Sequence, residues 1–150
     1  MATTAVDPVF VDTNILVYST TTQSPFHAAA LAKLHALTTA GYDLWTSRQI
    51  LREYLASLSK PGVVTAPVPM AALIADVGTF AARFSIAEDG PSVTMHLLNL
   101  LGTIPCGGKQ VHDANIVATM RAHGIPNLLT YNIADFQRFS GHITIIPLVP

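Results

Sequence analysis

Short β-prone runs alternate with stretches of helical periodicity along the whole chain. Val9-Phe10-Val11 is a strand-like run that breaks off at Asp12-Thr13-Asn14, and Ile15 to Ser19 reads as a short helical turn. Ser24-Pro25 has the form of a helix start, with serine as N-cap and proline at the first helical position. Phe26, Ala30, Leu34 and Leu37 then recur at helical spacing until Gly41. Leu44-Trp45-Thr46 predicts a strand. Ser47 can cap the helix behind it, whose apolar face is Ile50, Leu51, Tyr54, Leu55 and Leu58, with Lys60-Pro61-Gly62 as its end. Val63 to Pro69, with two prolines, predicts a loop. Met70 to Arg83 predicts a helix with Leu73, Val77 and Phe80 on one side, and Phe84-Ser85-Ile86 a short strand. Pro91 to Leu101 is a further helix carrying Val93, Leu97, Leu98 and Leu101, followed by a glycine-rich turn over Thr103 to Lys109. His112 to His123 is helical up to Gly124, Leu128-Leu129-Thr130 is a strand, Ile133 to Phe139 a short helix and Ile143 to Ile146 a last strand.

Strand and helix alternating in this way predict an α/β fold: a central, mostly parallel sheet of about four to five strands with helices on both faces. No internal repeat, low-complexity tract or linker interrupts the pattern, so residues 1–150 read as a single domain. A chain of 150 residues buries about 68–70% of its unfolded surface and needs no disulfide or structural metal to fold.

Composition adds three points. Half the residues are hydrophobic and 11% are charged, against about a quarter in an average soluble domain, which predicts a large core plus a protein–protein surface. Cys106 is the single cysteine, so no intramolecular disulfide can form, in keeping with a reducing compartment. Met1 to Pro8 carries no basic residue and no apolar run, and no stretch approaches the ~20 apolar residues that span a bilayer. A cytoplasmic protein with no membrane association is therefore expected. The formal net charge of −1 argues against a protein that holds nucleic acid by charge alone, yet it suits an enzyme that links phosphate to carboxylate through a cation.

The chain has nine carboxylates, and four are placed at informative points. Asp12 follows the first strand, Glu53 lies two turns into a helix that leaves the second, Asp113 opens a helix, and Asp135 lies just past the strand ending at Thr130. Ligands of parallel sheets bind beyond the carboxyl ends of the strands, so Asp12 and Asp135 should share a crevice, with Glu53 at its edge. Carboxylates brought together repel unless a cation offsets them. An all-oxygen set of this kind suits Mg²⁺, with Mn²⁺ as an alternative.

These residues carry a family resemblance. Val9-Phe10-Val11-Asp12-Thr13-Asn14-Ile15-Leu16 resembles the opening of a PIN domain, as do Leu51-Arg52-Glu53-Tyr54-Leu55, Val111-His112-Asp113-Ala114 and Leu129-Thr130-Tyr131-Asn132-Ile133-Ala134-Asp135-Phe136 in their own places. The four blocks occur in order across almost the entire chain, and its compact size resembles the VapC toxins of VapBC toxin–antitoxin pairs. The resemblance implies a three-layer PIN-like fold and a Mg²⁺-dependent endoribonuclease, usually a homodimer, restrained by a cognate antitoxin. It implies Asp12 and Asp113 as main metal ligands and Glu53 as completing the first site or positioning water. Asp135 would line a second site or hold water bound to the metal. Thr13, Asn14, Thr130 and Asn132 would support them by hydrogen bonds. Many PIN domains have an acid where this chain has Asn132.

Each acid alone has an ordinary reading: Asp12 as a turn residue, Asp113 and Asp135 as helix caps, Glu53 as a solvated side chain. Capping does not account for all four blocks together. His112 is more readily a packing neighbour than a general base. Cys106 has no paired histidine, and Gly107-Gly108-Lys109 lacks the phosphate-loop pattern. Arg48, Arg52, Lys109 and Arg138 are candidate phosphate contacts. A dehalogenase-type phosphatase would need an aspartate where Asn14 stands, and a receiver domain would need an acidic pair before Asp12. A PIN-type RNA-processing nuclease without an antitoxin, or a non-catalytic RNA- or protein-binding module, remains as an alternative.

Overall fold

A computed structural model describes residues 6–61 and 67–150. Five strands form one sheet: β1 (Pro8–Val11), β2 (Asp43–Ser47), β3 (Ser85–Ala87), β4 (Asn127–Thr130) and β5 (Thr144–Pro147). Their order is β3-β2-β1-β4-β5, and every pairing is parallel. The first three strands step outward in one direction from β1 and the last two in the other. The order therefore reverses between β1 and β4, which is where parallel sheets open a binding crevice.

Helices α1 (Thr13–Thr20) and α2 (His27–Thr39) link β1 to β2, and α3 (Arg48–Ser59) and α4 (Met70–Arg83) link β2 to β3. Helices α5 (Pro91–Thr103) and α6 (Gln110–Ala122) link β3 to β4, and the short α7 (Ile133–Phe136) precedes β5. Right-handed crossovers put α1–α4 on one face of the sheet and α5–α6 on the other. In keeping with this, α1 packs on α2 and α3, α3 on α4, and α5 on α6. Val9, Phe10 and Val11 are fully buried, as are Leu128 and Leu129 beside them, because a central parallel strand is covered on both faces.

Local signals set most boundaries. The Ser47 hydroxyl accepts from the Ile50 N–H at 3.3 Å and caps α3. Gly41 (φ 91°) ends α2 and Gly124 (φ 67°) ends α6, both in the left-handed region that glycine enters without strain. Two expectations need correction. Ser24-Pro25 does not cap α2: the Ser24 hydroxyl and carbonyl accept from Phe26 N and His27 N, closing a turn, and the helix starts at His27. Asp113 is not an N-cap, since α6 begins at Gln110 and Asp113 lies within its first turn. Of the Val63 to Pro69 loop, residues 63–66 lie outside the described residues, and Pro67–Pro69 have no regular structure.

Leu73 and Phe80 of α4 belong to the core, whereas Met70 and Ile74 on the same helix are exposed, as are Met95 and Leu98 of α5. No helix among the described residues is long and apolar enough to cross a membrane.

Because Ser47 is buried and sets the start of the helix carrying Glu53, Ser47→Ala should cost about 1 kcal/mol. That lowers the melting temperature by roughly 3 °C for a domain of this size, measurable by circular dichroism. An unchanged melting temperature would show that the cap does not fix α3.

Candidate active site

Asp12 ends the buried central strand and caps α1, so its side chain is turned back over the crevice between β1 and β4. It is only 5% exposed. Its Oδ1 accepts from the Thr13 backbone N–H at 2.8 Å. Its Oδ2 accepts from the Thr130 hydroxyl at 2.7 Å and from Asn14 Nδ2 at 3.1 Å. Even with three donors, burial pushes its carboxyl up to about 6, and the charge of Glu53 adds to the rise.

Asn14 ties the two central strands together at this point. Its Nδ2 also reaches Thr130 Oγ1 at 3.3 Å, while its Oδ1 accepts from the Tyr131 N–H at 3.1 Å. Thr130 Oγ1 in turn accepts from the Asn132 backbone N–H at 3.0 Å. Thr13, Asn14, Thr130 and Asn132 thus form one frame around Asp12, to which Asn132 contributes its main chain.

Glu53 projects from α3 with both oxygens engaged. Thr13 Oγ1 donates to Oε2 at 2.6 Å, and Gln49 Nε2 donates to Oε1 at 2.9 Å. Asp113, in the first turn of α6, is half-buried. Burial pushes it up to about 6, followed by the charges of Asp135, Asp12 and Glu53, with Arg138 opposing them. Asp135 is exposed on α7. The charges of Asp12, Glu53 and Asp135 all act on Asp113, so the four acids share one electrostatic field.

They do not close on a single point. Among the described residues, no group of three or more His, Cys, Asp or Glu stands close enough to hold a metal ion. Mutual repulsion opposes closer approach, and Glu53 is held by hydroxyl and amide donors on either side.

The candidate phosphate contacts divide. Arg48 is engaged by Glu88 through two hydrogen bonds of 2.8 and 2.6 Å. Arg138 donates to the Pro105 carbonyl at 3.0 Å and acts electrostatically on Asp113. Arg52 and Lys109 are exposed beside the crevice-forming helices. His112 enters through its carbonyl, which accepts from Gln49 Nε2 at 3.0 Å. A cavity of about 750 Å³ lies elsewhere, between α1, α2, β2 and α4, and none of the four acids lines it.

Sequence reasoning missed Gln49 and Asn115. Gln49 is buried, and its Oε1 accepts from Asn115 Nδ2 at 2.8 Å. The available signal was spacing: Gln49 lies four residues before Glu53, on the same face of the helix.

A family model for the PIN domain matches residues 9–141. The chain is 33% identical over 132 residues to ribonuclease VapC24 of Mycobacterium tuberculosis, covering 86% of this chain and 89% of the relative. It is 26% identical over 135 residues to ribonuclease VapC48 of the same organism, covering 87% and 90%. Among solved structures it is similar to VapBC2 from Rickettsia felis bound to a promoter DNA fragment, with a TM-score of 0.69, 19% identity and 93% and 98% coverage. It is also similar to the M. tuberculosis toxin VapC20, described as cleaving the sarcin–ricin loop, with a TM-score of 0.65, 18% identity and 91% and 96% coverage.

Asp12 and Asp113 keep their protons up to about pH 6 in the fold, against an ordinary value of 3.8. Folding therefore takes up protons between those values. The contribution of these two acids to metal-free stability is full below about pH 4 and is lost as pH rises to about 6. Asp113→Asn should raise the metal-free melting temperature at about pH 7.5 and make no difference near pH 4. After allowance for solvent screening the gain is about 1 kcal/mol. Equal melting temperatures in EDTA at the higher pH would contradict the charge crowding.

Proposed function

This chain belongs to the PIN domain family, and from that premise we propose that it is a Mg²⁺-dependent endoribonuclease of the VapC type, the toxin of a toxin–antitoxin pair. The observation that carries the reading is the charge crowding around Asp113 and Asp12: burial and then the charges of Asp135, Asp12 and Glu53 raise the pKa of Asp113, and Glu53 adds to the rise that burial imposes on Asp12. The ribonuclease names of the two curated relatives support the same activity.

The donor set fits a hard divalent cation. It consists of carboxylate oxygens without histidine or thiolate, and it contains a buried aspartate that three neutral donors do not bring back to its ordinary pKa. Asp12 and Asp113 would hold the ion, with Glu53 beside them and Asp135 at the outer edge. Bound there, Mg²⁺ (or Mn²⁺) supplies Lewis-acid stabilisation of charge on a phosphoryl oxygen and a lowered pKa for water. Asp12 cannot swing away, because Thr13, Asn14 and Thr130 fix both its oxygens. Glu53 keeps free lone pairs beyond its two donors and would receive the proton of the attacking water. Attack in line on phosphorus would expel the 3′-oxygen. Arg138, already within the field of Asp113, and the exposed Arg52 and Lys109 would meet neighbouring phosphates. Arg48 would first have to leave Glu88.

Family membership removes the dehalogenase-type and receiver readings. The partners in this proposal are RNA as substrate, a second copy of the chain and an antitoxin protein. The low charge and the exposed apolar pairs Met70 and Ile74 on α4 and Met95 and Leu98 on α5 support protein partners. A cytoplasmic location accords with the RNA substrate.

The test compares the purified chain with Asp12→Ala and Asp113→Ala on structured RNA in Mg²⁺. Loss of several kcal/mol of charge stabilisation corresponds to a fall of about 100-fold or more in cleavage rate, and EDTA should abolish cutting by the parent. Equal cleavage by parent and variants would overturn the assignment.

A further inference from the structure

Gln49 links the helices that carry Glu53 and Asp113 by hydrogen bonds. It is 8% exposed, at the second position of α3, and three of its amide's hydrogen-bonding capacities are met. One Nε2 hydrogen goes to Glu53 Oε1 at 2.9 Å and the other to the carbonyl of His112 at 3.0 Å, the residue before Asp113. Its Oε1 accepts from Asn115 Nδ2 at 2.8 Å, and Asn115 Nδ2 also lies 3.4 Å from Asp89 Oδ2. This network fixes which way the amide points. Turned over, its oxygen would face two acceptors, the Glu53 carboxylate and the His112 carbonyl, while its NH₂ met the Asn115 donor.

A buried amide with these partners is costly to disturb, since removing it leaves a carboxylate oxygen, a carbonyl and an amide donor without their partner. The sequence around it does not demand a polar residue. Ile50, Leu51 and Tyr54 on the same helix are buried and apolar, and an aliphatic residue would have served the packing. What glutamine adds is a rigid link of one side chain from Glu53 to the backbone of α6 beside Asp113.

We propose that Gln49 is a positioning residue of the metal site, setting the reach between Glu53 and Asp113 by donating to Glu53 and to the α6 main chain at once. Without it, Glu53 keeps only Thr13 and the two helices lose their polar tie. The acids then meet a divalent ion less well, because loosened supporting hydrogen bonds typically weaken metal affinity about 10–100-fold. The kinetic part of this inference rests on the nuclease reading; the binding part does not.

The experiment uses Gln49→Leu and Gln49→Glu in the full chain. Leucine keeps the bulk and removes the amide. Glutamate keeps the length and the acceptor for Asn115 but replaces the donor with a charge facing Glu53. Mn²⁺ binding is followed by electron paramagnetic resonance, folding by circular dichroism, and kcat and KM on a cleavable RNA separately. Both variants should weaken Mn²⁺ binding by about 10-fold and lower kcat, leaving KM for RNA within about twofold. A residue that served packing alone would lower the melting temperature and leave Mn²⁺ affinity and the kcat of the folded protein unchanged. That result in either folded variant overturns the proposal, as does a parent protein that binds no Mn²⁺. A parent that binds Mn²⁺ without cutting RNA, together with weakened binding in both variants, would sink the nuclease reading and support the positioning role. Asn115→Ala, which removes only the far end of the chain of bonds, should give a smaller loss of affinity and serves as the variant that folds if the other two do not. An Asn115→Ala protein with unaltered Mn²⁺ affinity would count against the proposal.

Discussion

Negative charge held close together at the end of a buried strand is the constraint around which this molecule is organised. The sheet order reverses between β1 and β4, the place where parallel sheets open a crevice, and the chain sets Asp12 there within the electrostatic reach of Glu53, Asp113 and Asp135. Asp12 is buried and Asp113 half-buried, and both keep a proton to about pH 6. Without a counter-charge the arrangement lowers stability near neutral pH. With a divalent cation the same crowding becomes affinity, since the ion relieves repulsion that the fold has already imposed.

Neutral donors make this crowding tolerable and give it shape. Thr13 serves two acids at once, its N–H to Asp12 and its hydroxyl to Glu53. Asn14 and Thr130 clamp Asp12 across the gap between β1 and β4, and Gln49 fastens Glu53 to α6. Donors of this sort orient a carboxylate without cancelling its charge, so the acids are aimed while still in need of a cation. Arg48 and Glu88 instead form an exposed pair, which contributes little to stability.

Much of this was legible in the sequence. Alternation of β-prone runs with helical periodicity gave the α/β class, and all five strands lie within a residue or two of where the apolar runs place them. Ser47, Gly41 and Gly124 act as the stop and start signals they resemble. Ser24-Pro25 misled, because serine followed by proline serves a turn as well as a helix cap, and periodicity alone does not choose between them. For the site, the four acids announced themselves by standing at strand ends or in the motif blocks. Their incomplete closure could not be read from spacing, since it depends on how far repulsion and competing donors hold side chains apart. Gln49 and Asn115 were invisible for a related reason. A glutamine at the start of a helix reads as solvated, and only the approach of α6 from a distant part of the chain buries it.

The central claim is that one hard cation sits where these acids face each other. Crystals of the chain grown with Mn²⁺, with diffraction recorded at the manganese absorption edge, would test it most directly. An anomalous peak coordinated by Asp12 and Asp113, with Glu53 drawn in beside it, is the result predicted here. Manganese bound at another surface, or no ordered peak in the β1–β4 crevice at a saturating concentration, would contradict it.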